Sequence, residues 1–220
     1  MRTTLPNGTP VEVARPHDGE ATGGLVLCPD IMGLRPLFDE MAQRLADENG
    51  WVVVVPEPYP GREALTLDER LASVGEFDDL KVMATLQQAA DATGMHDVGV
   101  LGFCMGGMWA LKASATGRFH HAVSFYGMIR MPDQWRSDTQ WDALDYVTSP
   151  GACPVLELVG TEDPFVPLHH VAELQEADAE VHIYEGAEHG FVHDASRPAH
   201  RPEDAADAWS RAITFLQEPA

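Results

Sequence analysis

Cys104 lies in Gly102-Phe103-Cys104-Met105-Gly106-Gly107, a setting in which a thiol can do acyl-transfer chemistry. A cysteine attacks a carbonyl as its thiolate, so it needs a base to take its proton and a third group to orient that base. Both residue types follow in order along the chain. Asp163 sits in Gly160-Thr161-Glu162-Asp163-Pro164-Phe165-Val166-Pro167, and His189 in Glu188-His189-Gly190-Phe191. The glycines around Cys104 permit a tight turn and a close strand–helix approach. Met105 would open a helix, its N–H pointing with the positive end of the helix dipole to where an oxyanion or thiolate would lie. The alternative is that Cys104 is only a small buried residue beside glycines that pack a helix on a strand.

The other members carry alternatives too. Asp163 could be a turn former or a helix cap, and Glu162 competes for the acid role; the Pro164 turn favours Asp163. The chain holds ten histidines. His169-His170 read as helical, and His120-His121 open a strand. His189 and His193 are four apart, but Gly190 between them and the missing glutamate of H-E-x-x-H argue against a zinc site. With no C-x-x-C pair either, we expect no metal and no cofactor. Cys28, Cys104 and Cys153 form no disulfide framework.

Around these positions, Val98, Val100, Leu101 and Phe103 read as a strand buried on both faces of a parallel sheet, with a helix after Cys104: the layout of a nucleophile elbow. Apolar runs predict further strands at 24–28, 51–55, 122–126, 154–159 and 181–184, with a weak edge strand at 11–15. Helical spacing joins Leu37, Phe38, Met41, Ala42 and Leu45, ending at Asn49-Gly50. Two capping boxes are predicted, Thr66 to Glu69 and Ser73 to Glu76, the second starting a helix through Phe77, Leu80, Met83 and Leu86 to Thr93-Gly94. Helices also follow at 168–174 and from Pro202. Strands thus alternate with helices, giving a mostly parallel sheet covered on both faces, in one domain over 1–220. The three reactive positions fall at carboxyl ends of strands, where open α/β sheets bind ligands. Nucleophile, acid and histidine come in the order found in α/β-hydrolases. The long connection 128–151 carries Trp135, Trp141 and Tyr146; these either pin it to the surface or line a substrate pocket.

The net charge is −21, from 35 acidic and 14 basic residues, with only Lys81 and Lys112 as lysines. Such a field repels nucleic acid and anionic membranes. A strongly solvated surface is the ordinary meaning, and adaptation to a high-salt cytoplasm the sharper one. No signal-peptide pattern or membrane-length apolar run is present, so the expectation is a cytoplasmic protein, monomeric or a small homo-oligomer.

The three motifs, with Phe125-Tyr126-Gly127 ending the strand that follows the elbow, resemble the dienelactone hydrolase (carboxymethylenebutenolidase) family. The resemblance implies the α/β-hydrolase fold and a small-molecule ester or lactone substrate. It implies Cys104 as nucleophile, His189 as base and Asp163 as the group orienting it, with Ile31 and Met105 N–H groups as the oxyanion hole. The family places a thiol-activating glutamate where this chain has Asp30, which is either an activator or a loop cap. Its substrate-facing arginine, four residues after the histidine, is here His193, and Arg70 lies near another. Met32, Tyr126, Trp135 and Phe191 are expected substrate contacts. Rival readings are a general carboxylesterase and a non-catalytic ligand-binding protein of the same fold.

Overall fold

The runs Gly23–Cys28 (β3), Trp51–Pro56 (β4), Val98–Phe103 (β5) and Val155–Gly160 (β7) are buried along their whole length. Lacking a polar face, such strands belong inside a sheet covered on both sides. The computed structural model describes residues 1–219 and joins these strands to Arg2–Thr4 (β1), Pro10–Ala14 (β2), Ala122–Phe125 (β6) and Glu180–Tyr184 (β8). One sheet results, in the order β1-β2-β4-β3-β5-β6-β7-β8. β1 and β2 are antiparallel, and every pairing from β4 through β8 is parallel. This is the α/β-hydrolase architecture. Strand order reverses at β3, which pairs β4 on one side and β5 on the other, so β3 and β5 end at the switch point where a crevice opens.

The helices are Pro36–Asn49 (α1), Leu67–Ser73 (α2), Asp79–Ala92 (α3), Met105–Ala113 (α4), Ala143–Val147 (α5), Leu168–Glu176 (α6) and Pro202–Leu216 (α7). α1 and α7 share a face, with the Arg44 guanidinium on the Trp209 ring at 4.9 Å. α3 and α4 cover the other. Two glycines of β5 three positions apart display this: a Cβ on Gly99 would meet Leu216 of α7, and one on Gly102 would meet Gly106 of α4, as side-chain alternation demands.

Several expectations need correction. β1, unforeseen, takes the sheet edge in place of 11–15; its three residues are exposed and carry no apolar period. The Thr66 capping box forms, but the one predicted at Ser73 does not. The Ser73 hydroxyl donates to the Arg70 carbonyl, residues Val74–Glu76 form a 3-10 turn, and Asp78 caps α3 by accepting from Leu80 and Lys81 N–H. The Asp78 carboxylate competes better for the free N–H groups than a hydroxyl already committed backwards. Phe77 therefore lies outside the helix, edge-on to Trp109 at 5.0 Å.

The connection 128–151 is tethered. Asp79 accepts two bonds from Lys112 Nζ (2.8 and 2.9 Å), one from Trp141 N–H and one from the Tyr146 hydroxyl. Both charges are fully buried. Trp141 itself stays half exposed, while Trp135 is buried.

Candidate active site

β5 runs straight into α4 with one residue between them, and that residue is Cys104. Its φ of 55° and ψ of −118° are strained for a side chain other than glycine, the kind of strain that turns at reactive positions store. The turn exists because the chain closes on itself here. A Cβ on Gly102 would sit 2.0 Å from the Gly106 carbonyl oxygen, and one on Gly106 would sit 2.3 Å from those of Cys28 and Pro29. The N–H of Cys104 donates to Phe125 O at 3.0 Å, tying the turn to β6.

Asp163 and His189 come from the loops after β7 and β8. His189 Nδ1 lies 2.8 Å from Asp163 Oδ2, and Cys104 lies near enough to influence the charge of the ring. Asp163 Oδ1 accepts the Phe165 N–H at 2.8 Å, so the carboxylate is fixed at both oxygens, and Glu162 points to solvent. The His189 ring stands edge-on to Tyr126 at 5.1 Å and Phe165 at 4.9 Å. Burial alone would disfavour a charged imidazole. The neighbouring Cys104 and the Asp163 carboxylate outweigh it, and the His189 pKa is pushed up to about 10.

Cys104 and His189 open into a cavity of about 350 Å³. Its walls are largely apolar: Leu67, Leu71, Met128, Trp135, Phe165 and Met32. Charge enters through Asp30, Arg35, Asp194 and Arg197. Arg35 is paired with Asp30, whereas Arg197 has no carboxylate partner among the described residues. Ile31 and Met105 also line the cavity, and neither N–H donates to a protein acceptor among the described residues.

Of the expected contacts, Met32 and Trp135 line the cavity. Tyr126 and Phe191 do not, and this is a correction: both are fully buried behind its wall. Phe191 packs on Tyr126 and Tyr184, and the Tyr126 hydroxyl is turned to His193 Nδ1 at 2.5 Å. Asp30 reaches the cavity, but its oxygens bond Arg35 Nη1 and Nη2 (2.7 and 2.8 Å), His193 Nε2 (2.8 Å) and the Met32 N–H (2.9 Å). Burial works against its charge; His193 and Arg35 outweigh it and hold its carboxyl well below the usual range. Arg70 stays outside the cavity, buried against Tyr59 and donating to the carbonyls of Ile31, Glu63 and Leu65.

Arg35, Arg197 and Phe165 were not singled out from sequence. Arginines in loops leave no periodic signal, and only the fold shows which of them face the cavity. Glu157 was missed likewise. It is fully buried on β7, with Oε1 accepting Gly127 N–H at 3.2 Å, and burial pushes its carboxyl well up.

Residues 10–219 match the model of the dienelactone hydrolase family. A Bradyrhizobium protein named as a probable 2-oxo-3-(5-oxofuran-2-ylidene)propanoate lactonase is 30% identical, the alignment covering 93% of this chain and 87% of that one. The carboxymethylenebutenolidase of Rhodococcus opacus is 26% identical, with 91% and 84% covered. A Klebsiella pneumoniae crystal structure, provisionally named a dienelactone hydrolase, superposes with a TM-score of 0.89 over 100% of this chain and 98% of that one. At 23% identity it speaks to the fold.

Proposed function

The chain belongs to the dienelactone hydrolase family, whose members hydrolyse ester or lactone bonds, and we propose that it does so through Cys104, His189 and Asp163. The observation supporting this reading is the Asp163–His189 hydrogen bond with Cys104 beside the ring, on the wall of a cavity that also presents the backbone N–H groups of Ile31 and Met105.

In this reading His189 holds the thiol proton and Cys104 attacks the carbonyl carbon as thiolate. The N–H groups of Ile31 and Met105 receive the oxyanion. As the tetrahedral intermediate collapses, the carbon–oxygen bond to the leaving group breaks and that oxygen takes the proton from His189. In a lactone the leaving oxygen stays tethered to the acyl group. A water then gives its proton to His189 and attacks the thioester. The carbon–sulfur bond breaks, releasing a carboxylic acid and regenerating the thiolate–imidazolium pair. Asp163 keeps the imidazole in the required tautomer and stabilises its charge.

The cavity supports a compact substrate with an apolar body. The unpaired Arg197 guanidinium supports a carboxylate substituent, as in the lactone named for the Bradyrhizobium relative. A panel of enol lactones and aryl esters, each with and without a carboxylate, tests this. We expect turnover of carboxylate-bearing lactones, with Arg197→Ala raising KM for those alone. Cys104→Ser should lower kcat by roughly a hundredfold or more, because the site is built to ionise sulfur. Near-normal turnover by that variant would refute the thiolate route. Equal use of neutral esters would favour a general carboxylesterase, and slow labelling of Cys104 by iodoacetamide at neutral pH would favour a non-catalytic binder.

A further inference from the structure

Behind the wall bearing Cys104 and His189 runs a second histidine-centred chain that the reaction above does not use. The Tyr126 hydroxyl meets His193 Nδ1, His193 Nε2 meets Asp30 Oδ2, and Asp30 forms a two-pronged pair with Arg35. The His193 side chain is fully buried, stacked on Phe103 at 4.9 Å and on Phe38 at 6.0 Å. The chain therefore links the ends of three strands: Asp30 just past β3, Phe103 closing β5 before Cys104, and Tyr126 just past β6. Tyr126 has a φ of 46°, a strained position for a bulky residue, and its hydroxyl bond is one of the contacts that hold it.

We propose that His193 is a positioning residue for the chemistry at Cys104: by bridging Tyr126 and Asp30 it keeps the Asp30 carboxylate turned from the sulfur and fixes the turn that presents the Ile31 N–H. This role rests on the hydrolytic reading and concerns the same site.

The donors and acceptors allow one arrangement without an orphan. An ionised Asp30 can only accept, so His193 carries its proton on Nε2. Nδ1 is then an acceptor, and the Tyr126 hydroxyl must donate to it. The groups around His193 agree. Arg35 and Arg197 lie near enough to oppose a second proton on it, Asp30 favours one, and burial weighs most heavily toward the neutral ring. Asp194 also faces it, with its own Oδ1 accepting from Ser196. The hydrogen bonds of Asp30 thus go to Met32, Arg35 and His193, and none goes to the thiol. Released, Asp30 would be a carboxylate in the same cavity as Cys104, and a like charge nearby disfavours a thiolate. Ile31 is held from its other side by Arg70, which donates to its carbonyl at 3.2 Å. Loosening Asp30 would release its hold on the Met32 N–H and so loosen the turn around the Ile31 N–H, while the Ile31 carbonyl stays anchored.

The test uses His193→Phe, which keeps the stack between Phe103 and Phe38 but cannot bridge, and His193→Gln, which can both accept and donate. The pH dependence of Cys104 alkylation by iodoacetamide is measured, together with kcat and KM on the best substrate of the panel. For His193→Phe we expect the alkylation midpoint to rise by about one pH unit and kcat to fall roughly tenfold, with KM little changed. His193→Gln should lie nearer the parent. Adding Asp30→Asn to His193→Phe should return the midpoint, since the offending charge is gone; a purely structural role for His193 would show no such rescue. If His193→Phe does not fold, Tyr126→Phe, which removes a single oxygen, should shift the midpoint in the same direction. An unchanged midpoint in a folded variant, or a shift that Asp30→Asn leaves in place, overturns the proposal. Lack of turnover by the parent chain would sink the hydrolytic reading, while alkylation would still decide the role of His193.

Discussion

At Cys104 a single backbone conformation does most of the chemical preparation. A φ of 55° lifts the sulfur off the strand toward His189, and the same turn leaves the Met105 N–H without an internal acceptor. Asp163 acts on this only through the imidazole. Asp163→Asn should preserve the fold and lower kcat by roughly a hundredfold or more, because the amide lets Nδ1 and Nε2 exchange roles; stopped-flow kinetics on an activated ester would measure the loss. Single residues also set how stability depends on pH. Burial first, and then its cationic neighbours, hold the His193 pKa below its ordinary 6.5, and Asp30 is held below its ordinary 3.8. Both groups bind protons less readily folded than unfolded. Their stabilisation is therefore complete above those ordinary values and is lost as pH falls, first through the His193 range and then through that of Asp30. Urea midpoints should drop between pH 7 and pH 5, and drop less in His193→Phe.

Among the elements, the Lys112–Asp79 pair decides whether the long connection behaves as a flap or as a wall. Asp79 opens α3, Lys112 lies near the end of α4, and Trp141 and Tyr146 belong to the connection. One carboxylate thus joins the helix that starts at Cys104 to the segment carrying Trp135. Thr139 and Gln140 add bonds to the carbonyls of Phe77 and Val74. Lys112→Met would leave a buried carboxylate unpaired, and we expect a loss of about 3–5 kcal/mol, measured by urea unfolding. Lys112→Met with Asp79→Asn should recover part of it. A connection of this length reads in sequence as mobile or functional. Its anchors could not be foreseen, because the partners are far apart in the chain and the bonds depend on α3 and α4 lying side by side.

Over the whole molecule, the net charge of −21 outweighs any single ion pair in its reach. Self-repulsion of that size opposes the compact state and is screened by salt. The melting temperature should rise from low to molar sodium chloride by roughly 2–4 °C for each kcal/mol of repulsion removed; a flat or falling curve would reject adaptation to high salt. No helix among the described residues is long and apolar enough to cross a membrane.

The alternation of apolar runs with helical periods was enough to derive the parallel sheet from the chain alone. So were Cys104, Asp163 and His189 as candidates, since each lies within two residues of glycine or proline and follows a readable strand. These features are local: periodicity, turn residues and order are properties of neighbouring amino acids. Tertiary structure decided what depends on distance across the sheet. It put Tyr126 and Phe191 behind the cavity wall, brought Arg197 into it, and joined Asp30 to His193 across 163 positions. No local pattern encodes a hydrogen bond between residues that meet only where the segment after β8 returns over the ends of β3 and β5.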